Sequence, residues 1–394
     1  MRVAHCVPIF SELTQTFVYE LVCNFCAYES GVEPRVLTWC RKNSAERPFN
    51  PVDVVPAPTS REILRLRFAR VLPDPLERTW CPPTGFERSI ADCLRQTRTE
   101  LVHVHFGPTA VLVGRACRLA GVPMLITFRG RDASAKLRKR HWRRLYRRTL
   151  AHAAAVTCVS EDLRRQLKAV LPPGLDAQVV HAGKCPQKLQ YHPRPSPRGR
   201  LVSVGRLIEK KGHADAIRAV ARAQQDGSDV TLRIIGEGPM RADLENAIKC
   251  CGVEDAVTLT GALSYDQVIR HLHDADFLIA ANRVASNGDC EGVPNVVKEA
   301  QLIGLPVIAT HHGGIPQAVP ASLHDRLVEE GDVNALAARV AEMNALSADK
   351  LETIGRVGRD HVLAHFDPLS EVRVYRALYA SILAPRGSVP NRMA

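Results

Sequence analysis

The chain has 394 residues, 45% hydrophobic and 24% charged, a balance that excludes a fibrous or largely disordered protein and, at roughly 150 residues per domain, predicts two large domains. Its formal charge of +12, from 53 Lys and Arg against 41 Asp and Glu, favours an anionic partner: a phosphorylated substrate, a phospholipid surface or a nucleic acid. No run reaches the ~18 to 20 apolar residues of a membrane span, and the opening "MRVAHCVPIFSELTQ" breaks too early for a secretory signal, so a cytoplasmic location is expected.

In chain order, "RVAHCVPIF" reads as a strand and "TFVYELVCNFCAY" as a helix, its apolar residues recurring at helical intervals. "LVHVHFG" (101–107) is a strand, "AVLVGRACRLAG" (110–121) a helix and "VPMLITF" (122–128) a strand. A basic helix (136–152) follows, then the strand "AAVTCVS" (154–160) with a cap at Ser160. The polar, proline-rich stretch 186–199 reads as a hinge. Beyond it the strands 200–206, 230–238, 256–262, 276–282 and 305–314 alternate with helices at 213–225, 240–252, 265–275 and from Pro294. A last amphipathic helix spans 367–383. Strands alternating with helices predict doubly wound parallel sheets, in which ligands sit at the carboxyl ends of strands.

Twelve cysteines are scattered, apart from Cys23-x-x-Cys26 and Cys250-Cys251, with no second pair or histidine at zinc spacing. They are expected to be reduced and mostly buried, and no metal site is predicted. Arg206 follows one strand, with Lys210, Lys211 and Gly212 next. Such a loop beside a helix N-terminus suits a diphosphate, because the guanidinium binds oxygens in pairs and the helix end adds positive charge. A solvated basic turn is the other reading of these residues. "GEGP", with Gly236, and "HHGGIP" (311–316) each allow either a close ligand approach or a tight turn.

The stretch "DCEGVPNVVKEA" (289–300) holds Glu291 and Glu299 seven residues apart around Gly292, Val293, Pro294 and Asn295. Pro294 fits the first turn of a helix, which puts Glu299 about five residues in, ~7.5 Å along the axis at 1.5 Å per residue. That separation is too long for two carboxylates sharing a proton but suits one extended ligand held at both ends. A capping acid followed by a surface glutamate is the alternative.

Taken together and in this order, "GRLIEKKGH", "LRIIGEGPMRADLE", "VTLTGAL", "HDADFLIA", "DCEGVPNVVKEAQLIGLPVIATHHGGIPQAV" and "EEGDVNALA" resemble the retaining glycosyltransferases of family 4. "SELTQTFVYE", "VHVHFGPTA" and "TFRGRD" resemble the branch that makes bacterial exopolysaccharide and colanic-acid-type polymers. The resemblance implies an α/β fold of GT-B architecture, two doubly wound Rossmann-like domains facing across a cleft. Residues 1–190 would bind the acceptor and 191–366 the nucleotide-sugar donor, with the helix at about 367–390 packing back on the first. By analogy Glu299 would hold the ribose, Glu291 the donor hexose, and Arg206 and Lys211 the diphosphate. Gly205, Gly236 and the 292–295 backbone would lie against the donor, expected to be a UDP-sugar, with no cofactor. On the acceptor side the resemblance implies Phe106, Gly107, Thr109, Arg129, Asp132 and Thr16, with Thr14 a further contributor. Arg129 stands where many relatives carry His, Gln317 replaces a common Glu, and no Pro-Ser pair precedes the acidic motif. An arginine cannot act as a neutral base, so Arg129 would serve as an electrostatic clamp or alter activity.

His103 and His105 are expected to be packed or hydrogen-bonded rather than catalytic. The basic helix carries Trp142 and Tyr146 among seven Lys and Arg between 138 and 148, which predicts a peripheral contact with an anionic membrane and a lipid-linked saccharide acceptor. No nucleic-acid-binding module accompanies the charge. A sugar-nucleotide epimerase of the same fold and a non-catalytic sugar-nucleotide binding protein are the rival readings.

Overall fold

The computed structural model of the chain describes residues 1–12, 16–28, 30–69, 81–187, 189–193 and 196–384. Thr14 and residues 385–390, both drawn into the expectations above, lie outside the described residues. The chain forms two compact units, Lys184–Asp367 and the remainder, to which the last helix, Pro368–Leu383, belongs.

The first unit is built on a seven-stranded sheet in the order Val52–Val54, Glu33–Thr38, Arg2–Cys6, Leu101–His105, Met124–Phe128, Ala155–Cys158, Ala177–Val179. Every pairing is parallel. The second unit repeats the plan with five parallel strands: Val257–Gly261, Thr231–Ile235, Arg200–Val204, Phe277–Ala280 and Val307–Ala309. In both, the order reverses beside the unit's first strand. Such a reversal opens a crevice beyond the carboxyl ends of the two strands that flank it.

Strand alternation explains why both sheet faces are buried in the second unit. Leu201, Phe277 and Ile279 enter one core cluster with Ile217 and Val220, while Val202, Leu278 and Ala280 enter another with Val297 and Leu302. Fully burying one such side chain contributes about 1.5–3 kcal/mol. In the first unit Tyr375 and Tyr379 of the last helix pack with Leu21 and Phe25 and with the strand residues Val3 and Leu101.

Three expectations need correction. The junction lies at Gly183–Lys184, not near 190, and described residues of the stretch read as a hinge are tied to the second unit. Leu189 is fully buried in the core of the second unit, and the amide of His192 donates to the carbonyl of Ile303 at 3.2 Å. The basic helix starts at Arg140, because turns at 131–139 precede it. Its Trp142 and Tyr146 face inward with Leu145 and Leu150, so the outward face is made of cations without aromatic anchors. Among the described residues, the helices Gly85–Gln96, Val333–Asn344 and Ala348–His365 are examples without a counterpart in the sequence reading. A reciprocal Thr84–Glu87 capping box starts the first of them.

Candidate functional site

The second unit's crevice is formed by the chain leaving Arg200–Val204 and the chain leaving Phe277–Ala280. After the first of these, Gly205 and Arg206 precede a short 3-10 turn, Glu209–Lys211. Gly212 then opens the helix His213–Gln225 with φ +63°, where a Cβ would stand 1.7 Å from the carbonyl oxygen of Ala281. Glycine there lets the lysine turn lie against the chain that leads to Glu291.

The result is a buried charge cluster. Lys210 Nζ lies 3.1 Å from Asp289 Oδ1 and 3.3 Å from Glu291 Oε1, and Lys211 Nζ lies 3.1 Å from the same Glu291 oxygen. Burial pushes the Glu291 carboxyl up, but Lys211 and Lys210 outweigh it and hold the group at about 2. For Lys210, burial pulls the ammonium down and Glu291 and Asp289 more than restore it, leaving its pKa raised. Glu291 is therefore a carboxylate at neutral pH, an acceptor and not a proton donor. Arg206 is exposed, and its guanidinium makes no ion pair or hydrogen bond among the described residues.

Lys210 was read above only as part of the basic loop, and Asp289 and His312 were given no role there. Lys210 and Asp289 complete the cluster. His312, fully buried, accepts the Glu291 N–H at Nε2 (3.0 Å), so Nδ1 carries the proton and donates to Glu330 Oε1 at 2.6 Å. Glu330 Oε2 in turn accepts the N–H of Val284 at 2.7 Å. A histidine in "HHGGIP" was in view, but its partner lies eighteen residues along the chain and only folding brings them together.

The Gly pair in that motif serves close packing: a Cβ on Gly314 would stand 2.2 Å from the carbonyl oxygen of Gly292, whose oxygen accepts the Gly314 N–H at 2.6 Å. Gly236 likewise exists for packing, since a Cβ there would meet the carbonyl oxygen of Gly205 at 1.9 Å. Gly205 leaves room for the Lys211 stem, 3.0 Å from its virtual Cβ. Pro294 is the cap of the helix Asn295–Leu302 and not its first residue, and no side chain caps that helix N-terminus, to which Val293 leads. Glu299 is buried inside that helix and paired with Lys184 Nζ at 2.9 Å, a cation that no motif pointed to.

The first unit places its candidates at its own sheet reversal. Phe106 takes φ +74°, a strained value for a side-chain-bearing residue, at the turn from Leu101–His105 into the helix Gly107–Ala120. Asp132 is buried and accepts the N–H groups of Gly107 (3.1 Å), Arg129 (3.1 Å) and Gly130 (2.9 Å). Burial raises its pKa against those donors. It organises the loops, which leaves it less available to an acceptor than expected. Gly107 is pressed against Phe128 and Tyr146, and Thr109 is 1% exposed, so both sit inside the unit and not on an acceptor surface. Thr16 begins the helix Thr16–Ala27 and is half-buried. Arg129 lies with its guanidinium carbon 4.1 Å from the Phe17 ring centroid and donates from Nη2 to His105 Nδ1 at 3.3 Å.

His5, His103 and His105 are all buried, with ring nitrogens converging within 4.8 Å, the spacing of a potential metal site. Both nitrogens of His103 are already engaged, by Tyr379 (2.7 Å) and Thr127 (2.6 Å), and the Arg129 guanidinium faces His105. A cation there would break these bonds and meet like charge. Packing and hydrogen bonding account for His103 and His105. Of the twelve cysteines, all are free thiols and two, Cys26 and Cys250, are exposed.

Residues 14–183 match the model of Glycosyltransferase Family 4, and residues 187–360 match that of Glycosyl transferases group 1. The chain is 30% identical over 282 residues to WcaL of Salmonella typhimurium, a colanic acid biosynthesis glycosyltransferase, covering 71% of this chain and 70% of WcaL. It is 31% identical over 255 residues to the amylovoran biosynthesis glycosyltransferase AmsK of Erwinia amylovora, where the match spans 64% of this chain and 63% of AmsK. Among solved structures, Anabaena HepE in complex with UDP and glucose superposes with a TM-score of 0.76 at 16% identity, covering 97% of this chain and all of HepE. The chain therefore belongs to glycosyltransferase family 4, with the GT-B fold of two Rossmann-like domains.

Proposed function

We propose that this protein transfers a hexose, with retention of anomeric configuration and without a metal, from a nucleotide-diphosphate sugar to a saccharide acceptor in bacterial surface polysaccharide synthesis. The carrying observation is Glu291, a half-buried carboxylate held by Lys210 and Lys211 at the strand reversal, with Arg206, exposed and without an ion pair among the described residues, in the loop that leads to those lysines. As the glycosidic bond to the nucleotide breaks, negative charge grows on the leaving diphosphate. Arg206 is free to receive it, and Lys211 has two of its three N–H donors left after bonding Glu291. Donors aimed at such developing charge are worth about 3 kcal/mol each. Glu291, anionic at neutral pH, accepts hydrogen bonds from the sugar hydroxyls, while Glu299 takes the ribose. The leaving phosphate helps remove the acceptor proton on the same face, so no covalent sugar adduct forms on the protein. UDP is the expected nucleotide, in line with the UDP and glucose bound by HepE.

The acceptor is proposed to be lipid-linked and the protein peripheral on the inner membrane face. Arg138, Lys139, Arg140 and Arg144 are exposed and make no ion pairs among the described residues. Each such charge near an anionic surface contributes about 1 kcal/mol. No helix among the described residues is long and apolar enough to cross a membrane.

The test is a thermal-shift screen of nucleotide sugars, in which a ligand at a hundred times its Kd stabilises by about 2.7 kcal/mol. Glu299→Gln and Glu291→Gln should each diminish the shift. Unchanged shifts in both variants would defeat the donor assignment. An epimerised donor formed in the absence of acceptor would replace the transferase reading with isomerisation.

A further inference from the structure

The hydrogen-bond directions around Arg129 are fixed by chemistry. A guanidinium only donates, so His105 Nδ1 accepts from Arg129 Nη2 at 3.3 Å and His105 must carry its proton on Nε2. That N–H donates to His5 Nδ1 at 3.2 Å, which leaves His5 protonated at Nε2, the nitrogen that finds no partner. The chain runs one way, from cation through two neutral imidazoles. Burial, and secondarily Arg129, drive His5 down to about 3, consistent with a ring that stays neutral.

The relay grips the guanidinium from below and Phe17 covers one face, yet no carboxylate among the described residues pairs with it. Its Nε–H is buried and has no acceptor. Asp132, three residues along the same loop, spends its oxygens on backbone N–H groups. A half-buried cation and a buried unpaired donor are both costly unless a ligand completes them. The residue also sits at the carboxyl end of the strand Met124–Phe128, where such sheets take ligands.

We infer that Arg129 is the receptor for an anionic group, a carboxylate or phosphate, on the acceptor. The inference rests on the proposed transferase reading and adds the substrate class: an acceptor bearing an acidic sugar or a phosphate near the reacting hydroxyl. The guanidinium edge carrying Nε–H and an Nη–H matches two oxygens of either group in parallel. Phe17 and His105 fix the plane of the fork, so a lysine at this position keeps the charge without the paired geometry.

The experiment reads Arg129 itself. In the full-length, uniformly 15N-labelled protein, the Arg129 Nε–H resonance is assigned by its loss in Arg129→Lys. It is then titrated at constant ionic strength with glucuronate, inorganic phosphate, glucose and UDP. The expected result is a saturable downfield shift with glucuronate or with phosphate and none with glucose. Glucuronate alone marks an acidic sugar, phosphate alone a phosphorylated acceptor. Arg129→Lys and Arg129→Gln should bind the active anion about tenfold more weakly, measured calorimetrically. A resonance that moves with UDP but with neither small anion assigns Arg129 to the donor and overturns the inference, as does one that moves with nothing. The UDP-induced rise in melting temperature, measured on the same sample, reports the transferase reading separately.

Discussion

Lys210→Met removes the cation at the centre of the second unit's charge cluster while keeping its stem length. Lys210 is 7% exposed, and it is the one ion-pair partner of Asp289 among the described residues; Glu291 retains Lys211 at 3.1 Å. The substitution strands a carboxylate that is 8% exposed, which costs about 3–5 kcal/mol in buried pairs broken from one side. For a unit of this size each kcal/mol lowers Tm by about 2–4 °C, so the loss should be roughly 6–20 °C. Trp39, Trp80 and Trp142 all precede Lys184 in the sequence, and the two described ones, Trp39 and Trp142, lie in the first unit. Tryptophan fluorescence therefore follows that unit, and far-UV circular dichroism follows both. The loss should appear in the dichroism transition and leave the fluorescence transition in place. Adding Asp289→Asn, which removes the stranded charge, should recover half or more of the loss. A Lys210→Met protein melting within about 2 °C of the parent, or a double variant no better than the single, would refute the reasoning.

Glu291, held at about 2 against an ordinary 4.5, stabilises the fold fully above pH 4.5. That contribution fades as pH falls towards 2, by about 3 kcal/mol in all; chemical denaturation across this range should be steeper for the parent than for Glu291→Gln. His312→Phe leaves the Glu291 N–H without its acceptor and should lower kcat/KM about tenfold to a hundredfold, with secondary structure retained by circular dichroism. His312→Gln, whose amide both accepts and donates, should restore part of that activity, which a purely space-filling role would not predict. Gly314→Ala forces a Cβ to within 2.2 Å of the Gly292 oxygen and should weaken UDP binding by displacing the Glu291 loop, read by calorimetry. Arg206→Gln, at an exposed and unpaired position, should leave Tm within about 1 °C while kcat falls about a hundredfold.

The alternation of strand and helix periodicity was enough to read two doubly wound sheets, because a strand buried on both faces and an amphipathic helix leave different local patterns. The glycines, Glu291, Glu299, Arg206 and Lys211 were legible too, because short segments joining a strand end to a helix start carry them. What those residues do to one another was not. The pairing of Glu299 with Lys184 and of His312 with Glu330 and the Glu291 amide joins positions that are far apart in sequence and carry no shared periodicity. The inward turn of Trp142 and Tyr146 depended on which side of the basic helix met the helix Gly107–Ala120 and Phe128. Local sequence determines which backbone conformation is cheap, whereas the partner of a buried charge is chosen by whichever distant group folding delivers to it. Arg129 shows the difference: composition identifies a cation, and only the packed sheet supplies two imidazoles and a ring around it while leaving its remaining donor without an acceptor.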